Sequence, residues 1–332
     1  MYTKRNYGFW MTFNWSKKPF LIGFAYATII VLIAHYLNIN WQINIAIPWQ
    51  PVSIIGIAVA FYLGFKNNAS YDRTWEARKI WGGIVNNSRS FGAATVAFIQ
   101  GENAAAIRKQ IIYRHVAWLT ALRYQLRLSR EWEHTEERIA GQYFPTTSEN
   151  YFENLDKELC GFMTKEEAIG LLSKANIATQ ILKNQAVYLQ ELKDKEYFDD
   201  FRHMEFHKLI TTFYDDQGRS ERIKNFPFPR QYASTALWQT FIFAALIPFG
   251  LLDIFLNTES QLHWFVIPFS GLITWVFFLM EKIGDYSENP FEGSYNDIPI
   301  TSISRSIEID LRQMIDDENI PAPVKSEYGF LM

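Results

Sequence analysis

The sequence predicts an all-α membrane protein in which four transmembrane helices form two hairpins that bracket a helical, water-exposed domain. Three observations carry this. Between Lys18 and Lys66 there is no Asp, Glu, Lys or Arg, a stretch long enough to cross a bilayer, turn and return, since each helical span takes roughly 20 apolar residues. A second charge-poor zone follows Arg230 and reaches Glu281, broken only by Asp253 and Glu259. Between the zones lies a densely charged segment with apolar residues at helical spacing. The averages conceal this segregation: 332 residues with 20% charged would also fit a soluble protein of one or two domains.

Taken in order, residues 1–18 (MYTKRNYGFWMTFNWSKK) are aromatic and basic, with no apolar core and small-residue cleavage site of a signal peptide, so they read as a cytoplasmic or interfacial lead-in. The first hairpin occupies 19–66, with spans at 19–39 and 43–65. Asn38, Asn40 and Gln42 form a short polar connection that makes the two helices antiparallel neighbours. A helical domain is expected over 67–230. The second hairpin fills 231–282, with spans at 235–255 and 262–280 joined by Asn257, Thr258, Glu259, Ser260 and Gln261, and a polar segment covers 283–332. Neither hairpin loop carries Lys or Arg, whereas Lys4, Arg5, Lys17, Lys18, Lys66, Arg73, Arg230 and Lys282 flank the opposite ends. The positive-inside rule then places both termini and the central domain in the cytoplasm of a multi-pass cell-membrane protein. Trp41, Trp49 and Trp264 lie near the outer ends as interfacial anchors.

In the central domain, 102–130 and 165–192 are long runs with helical periodicity, the second beginning at Thr164, whose hydroxyl is placed to cap a helix with Glu167 three residues on. Residues 141–154 (GQYFPTTSENYFEN) read as an exposed loop. A single cysteine, Cys160, excludes an intrachain disulfide and a multi-cysteine metal site and fits a reducing compartment. No phosphate loop, nucleophile elbow or internal repeat is found, and no nucleic-acid partner is expected of a chain with net charge −3.

Within the second span, Ile57, Phe61 and Phe65 recur at i, i+4 and i+8 and so share one helix face, with Gly56 and Gly64 allowing neighbours to approach. In one copy such a stripe is lipid-facing or core packing; around a symmetry axis it would form stacked apolar rings that gate ions by dewetting. Four spans from one chain offer no pore, so a pore requires an oligomer.

The segment that follows, NNASYDRTWEARKIWGGIVNNSR (67–89), closely resembles the signature of the bestrophin family in sequence and in position. The GRSERIKNFPFP hinge (218–229), the ENPFEGSYNDIP segment (288–299) and the order of the hydrophobic pairs agree with it. The resemblance runs from the first span to about Asp310, and the compact chain resembles a prokaryotic member. It implies a passive pentameric ion channel, not an enzyme, with a neck formed by the second span and a cytoplasmic funnel. Eukaryotic members pass chloride and other anions, and prokaryotic relatives can favour monovalent cations. Counting back from Arg73, the neck positions fall on Ile57, Phe61 and Phe65. A second constriction falls near Met204, with Phe201 beside it, and Arg73, Trp75, Glu76, Asn289, Pro290 and Asp297 are the structural residues of the motifs. Where eukaryotic members carry an acidic calcium clasp, this chain has Gly293, Ser294, Tyr295 and Asn296, leaving Asp297 as the matching carboxylate and Glu292 one step displaced. Calcium needs six to eight oxygen ligands, so no cofactor is expected, calcium included.

Other constellations compete. His203 and His207 at i, i+4 could present two imidazoles to a metal, as a membrane metalloenzyme would, or be an exposed or helix-packing pair. Arg73, Glu76, Arg78 and Lys79 are an anion site or a salt-bridged helix. Asp253 and Glu259 form acidic rings at the mouth or are simply solvated. A membrane adaptor whose polar domain binds a partner is the remaining reading.

Overall fold

The computed structural model describes residues 1–134, 151–256, 262–294 and 297–332. Apolar spans and amphipathic segments alike are helical. Among the described residues, extended pairing is limited to isolated bridges of Phe330 with Tyr2 and Glu327. Two compact units result, one formed by Lys4–Asp72 with Phe228–Glu288, the other by Met1–Thr3, Arg73–Pro227 and Asn289–Met332.

The first unit holds the apolar helices. α1 (Phe9–Trp41) starts well before the expected span and carries Pro19 in its interior. Proline lacks the amide that would bond the carbonyl four residues back, here that of Trp15. Lys282 supplies the missing donor, with Nζ 2.7 Å from the Trp15 carbonyl oxygen, and its ammonium lies 4.3 Å from the Trp15 ring centroid. The helix therefore runs through the proline. Gln42, at φ 51°, closes α1 by returning its amide to Asn38.

α2 (Trp49–Phe98) begins six residues after the expected start of the second span, the connection being the non-helical stretch 42–48 and not the Asn38–Gln42 segment, most of which belongs to α1, and it runs on without a break past Lys66. Its first amide is capped across the unit: Trp49 N–H donates to Asp253 at 3.1 Å. Asp253 thus serves as a helix cap, a role the sequence did not suggest for it. Its notional partner Glu259 lies outside the described residues. α8 (Arg230–Leu256), a short 3-10 turn (Leu262–Phe265) and α9 (Val266–Asp285) complete the unit. These helices, with α1 and α2, are the chain's stretches long and apolar enough to cross a membrane among the described residues.

Close packing crosses between the two pairs of spans. A Cβ on Gly23 of α1 would sit 2.8 Å from Thr274 of α9, and one on Gly56 of α2 would sit 2.6 Å from the Phe243 ring of α8. Small residues at such crossings let backbones approach where burial from lipid gives little driving force. Val31, Val52, Val59, Leu63, Phe243, Ile247 and Leu252 form the core between them.

In the second unit, α3 (Ala104–Arg127) is buried along most of its length. Around it lie the rest of α2, α4 (Tyr151–Cys160), α5 (Lys165–Leu172), α6 (Ile177–Asp194), α7 (Asp200–Asn225) and α10 (Ile300–Met314). Trp81, Phe91, Trp118, Phe206, Phe213 and Leu311 anchor its core. The run 165–192 is two helices and not one. Thr164 caps α5 through the Glu167 amide at 3.3 Å, and Asn176 caps α6 through that of Thr179 at 2.9 Å; Ser173 and Asn176 offer side-chain bonds that compete with continuous helix. Tyr151–Cys160 is helical, so the expected loop does not extend over its last residues, while 141–150 lie outside the described residues. Cys160 is exposed.

His115 of α3 is 1% exposed, ringed by Phe91, Trp118 and Phe213 with centroids 5.0, 5.1 and 4.6 Å away, and its Nε2 lies 2.9 Å from the Ser88 hydroxyl. Burial pushes this imidazole down to about 3. Below the ordinary value near 6.5 the unfolded chain then binds a proton that the folded chain refuses. Stability is full above that pH and falls by about 1.4 kcal/mol per unit as pH drops toward the folded value. Between pH 7 and 5 the wild type is expected to lose about 2 kcal/mol more than His115→Gln, checked by unfolding both proteins at the two pH values. Equal losses would show that this residue does not carry the acid sensitivity.

Candidate pore-lining surface

α2 presents opposite faces to opposite environments. Val52, Val59 and Leu63 are 1%, 2% and 0% exposed, whereas Ile57, Phe61 and Phe65 are 58%, 65% and 62% exposed. The stripe is therefore not packed in the core of its own chain. With Ala60, Gly64 and Asn68 it lines a shallow groove of about 430 Å³. Gly64, unlike Gly56, has nothing within 4 Å of a would-be Cβ, so it shapes the groove and does not admit a neighbour from the same chain.

One residue past Phe65, the chain buries a charge. Lys66 is 0% exposed, and its ammonium lies 2.8 Å from the Glu281 carboxylate, whose side chain is 11% exposed. Such a pair repays desolvation only with close geometry. Gly284, one turn beyond Glu281, makes room for Asn67 and Lys66, since a Cβ there would collide with the Asn67 side-chain oxygen. In the sequence Lys66 carries only the pattern of a flanking charge. The available signal was that it is the first charge after an uncharged span and that Glu281 is an acid in the last turns of another.

At the start of α7, Phe201 and Met204 are 84% and 60% exposed, both turned away from the core that Phe206 enters. His203 stacks on Phe198 at 6.2 Å and His207 is exposed. Among the described residues no three His, Cys, Asp or Glu side chains are grouped to hold a metal ion.

The motif residues hold chain segments together. Arg73 donates to the carbonyls of Ile223, at 2.7 Å, and Phe226, closing the C-terminal end of α7. Glu76 pairs with Lys79 at 2.8 Å, and this hydrogen bond holds its carboxyl below the usual range. Trp75 is 47% exposed. Pro290 and Asn289 are buried in the turn that follows α9. Asp297 organises that turn, accepting from the amides of Phe291 at 2.7 Å, Gly293 at 2.8 Å and Ile298 at 2.6 Å, and pairing with Arg127. Phe291 is held at φ 79°, a conformation unfavourable for a bulky residue.

These contacts decide whether a calcium clasp fits. Asp297 is committed to a guanidinium and three amides. Glu292 lies 3.0 Å from the His134 imidazole, and Glu133 is taken by Lys224. Burial pushes the Glu133 carboxyl up and the Lys224 ammonium down. With both candidate carboxylates engaged by cationic or donor groups, the residues do not fit a calcium ion. Arg127, His134 and Lys224 carry no local sequence signal; Arg127 meets Asp297 across a separation of 170 residues.

The model of bacterial and fungal bestrophin proteins matches residues 17–313. A voltage-dependent anion channel-forming protein of Ralstonia nicotianae is 27% identical over 292 residues, 88% of this chain and 85% of the relative. YneE of Escherichia coli, which carries the same description, is 26% identical over 325 residues, 94% and 95% of the two chains. The crystal structure of a bestrophin homolog from Klebsiella pneumoniae superposes with a TM-score of 0.75 at 22% identity, covering 91% of this chain and 98% of that one. A family match over most of the chain, on a multi-pass all-helical fold, makes this protein a member of the bestrophin family, a family of ion channels and not of enzymes.

Proposed function

We propose that the chain forms a passive ion channel, five copies surrounding one pore, in which Ile57, Phe61 and Phe65 make three successive apolar rings. The observation that carries this reading is the polarity of α2: one face is buried in its own unit and the other turns three large apolar side chains outward. Rings of this kind offer no hydrogen bonds to replace an ion's hydration shell and so gate by excluding water. Phe201 and Met204, likewise exposed, are read as the second constriction. The names of the curated relatives speak for anions as the conducted species. The apolar rings contact either sign of ion, so charges beside them set the preference. The distribution of Lys and Arg supports a cytoplasmic location for both termini and the polar unit. No cofactor is required on this reading.

Purified protein in liposomes is expected to conduct monovalent ions and to run at the native mass of five chains in mild detergent, with Cys160 refractory to an impermeant thiol reagent outside intact cells. A monomeric or dimeric mass, or silent liposomes, would count against the channel; external labelling would invert the topology.

A further inference from the structure

On the channel reading, the sign of the conducted ion depends on which fixed charges face the pore beside the apolar rings. From Pro19 to Phe65 there is none. The next two charged residues on α2 are Lys66 and Asp72, and the helix treats them oppositely. Lys66 is about 100° from Phe65 around the helix, is 0% exposed, and has its ammonium 2.8 Å from Glu281. Asp72 lies seven residues past Phe65, which returns it to within about 20° of both Phe65 and Phe61 at about 10 Å further along the axis. It is exposed and makes no ion pair among the described residues. Its neighbour Arg73 is directed to the carbonyls of Ile223 and Phe226.

We propose that Asp72 is the selectivity-determining residue of this chain and, in contrast to the anion preference that the names of its curated relatives carry, favours monovalent cations, while the pairing with Glu281 keeps the charge of Lys66 out of the conduction path. Copies of α2 around an axis turn one carboxylate per chain into a ring directly in line with the phenylalanine rings. A ring of one sign beside low-dielectric walls focuses the field and concentrates counter-ions at the entrance to the neck. Only the uncompensated charge contributes: the cation of equal magnitude, six residues earlier, is cancelled at 2.8 Å.

The proposal rests on the channel reading, and reversal potentials in planar bilayers under asymmetric NaCl and KCl separate the two. Wild type is expected to reverse toward the cation equilibrium potential. Asp72→Asn, an exposed and nearly isosteric change, is expected to lower the cation-to-anion permeability ratio at least about threefold, the effect of about one kT of potential, and Asp72→Lys to bring it below one. The double variant Lys66→Met/Glu281→Leu, which removes both partners and leaves no buried lone charge, is expected to keep the wild-type ratio. Robust currents with a ratio unchanged in both Asp72 variants, wild-type preference for anions, or a shifted ratio in the double variant would overturn the assignment while leaving the channel standing. Absence of current from wild type would overturn the channel itself.

Discussion

Phe61→Ala is expected to raise ion flux through reconstituted channels about tenfold, equivalent to removing about 1.4 kcal/mol from the barrier, and the triple Ile57→Ala/Phe61→Ala/Phe65→Ala variant is expected to raise it further. Alanine keeps helix propensity while replacing a ring of large apolar side chains with a small one. Because the three residues are 58%, 65% and 62% exposed in the protomer, their truncation removes little of the chain's own packing. Val59 is the informative contrast. It points about 160° from Phe61 on an ideal helix and is 2% exposed, so Val59→Ala is not a silent change: it should lower thermal stability by loosening the contact of α2 with its unit and leave flux near wild type. Flux assays and melting curves on both variants check this. A triple variant with unchanged flux, or Val59→Ala equal to Phe61→Ala in flux, would place the constriction elsewhere.

Arg127→Gln is expected to destabilise the protein by about 3–5 kcal/mol, the cost of leaving one member of a buried ion pair uncompensated. The Arg127 and Asp297 side chains are 2% and 0% exposed. Asp297 would keep its backbone donors but lose its counter-charge. Arg127→Gln/Asp297→Asn should recover part of the loss, because neither residue then carries a charge and the Asn oxygen can still accept from the turn. The same geometry bears on calcium: adding it to wild type is expected to leave the melting temperature and the current where chelator leaves them. A calcium-dependent rise in melting temperature that disappears in Asp297→Ala would mean that Arg127 yields its place to the ion.

The spans were legible in the sequence because a missing charge is a local property: Pro19 to Phe65 declares itself wherever the chain folds. So was the α2 stripe, since i, i+4, i+8 spacing alone puts Ile57, Phe61 and Phe65 on one face. Helix ends were less legible. Nothing near Trp49 announces that its amide is capped by Asp253, 204 residues away, and the polar residues after Phe65, Lys66 included, looked like the close of a span when they are the middle of α2. The pairs that fix the motif segments, Lys66 with Glu281, Arg127 with Asp297 and Lys224 with Glu133, are brought together by tertiary packing alone. Of the residues that meet the motif carboxylates, the sequence identified Asp297 and Glu292 but neither Arg127 nor His134.

The proline in α1 ties two distant positions into one unit of inheritance. Pro19 opens a gap in the hydrogen-bond ladder, and Lys282 fills it by binding the Trp15 carbonyl. A lineage that replaces Pro19 with an amide-bearing residue supplies a second claimant for that oxygen and frees the lysine to drift. One that loses Lys282 first removes that donor while Pro19 still withholds its own, so the order of the two changes matters: the path through position 19 costs less than the path through position 282 alone.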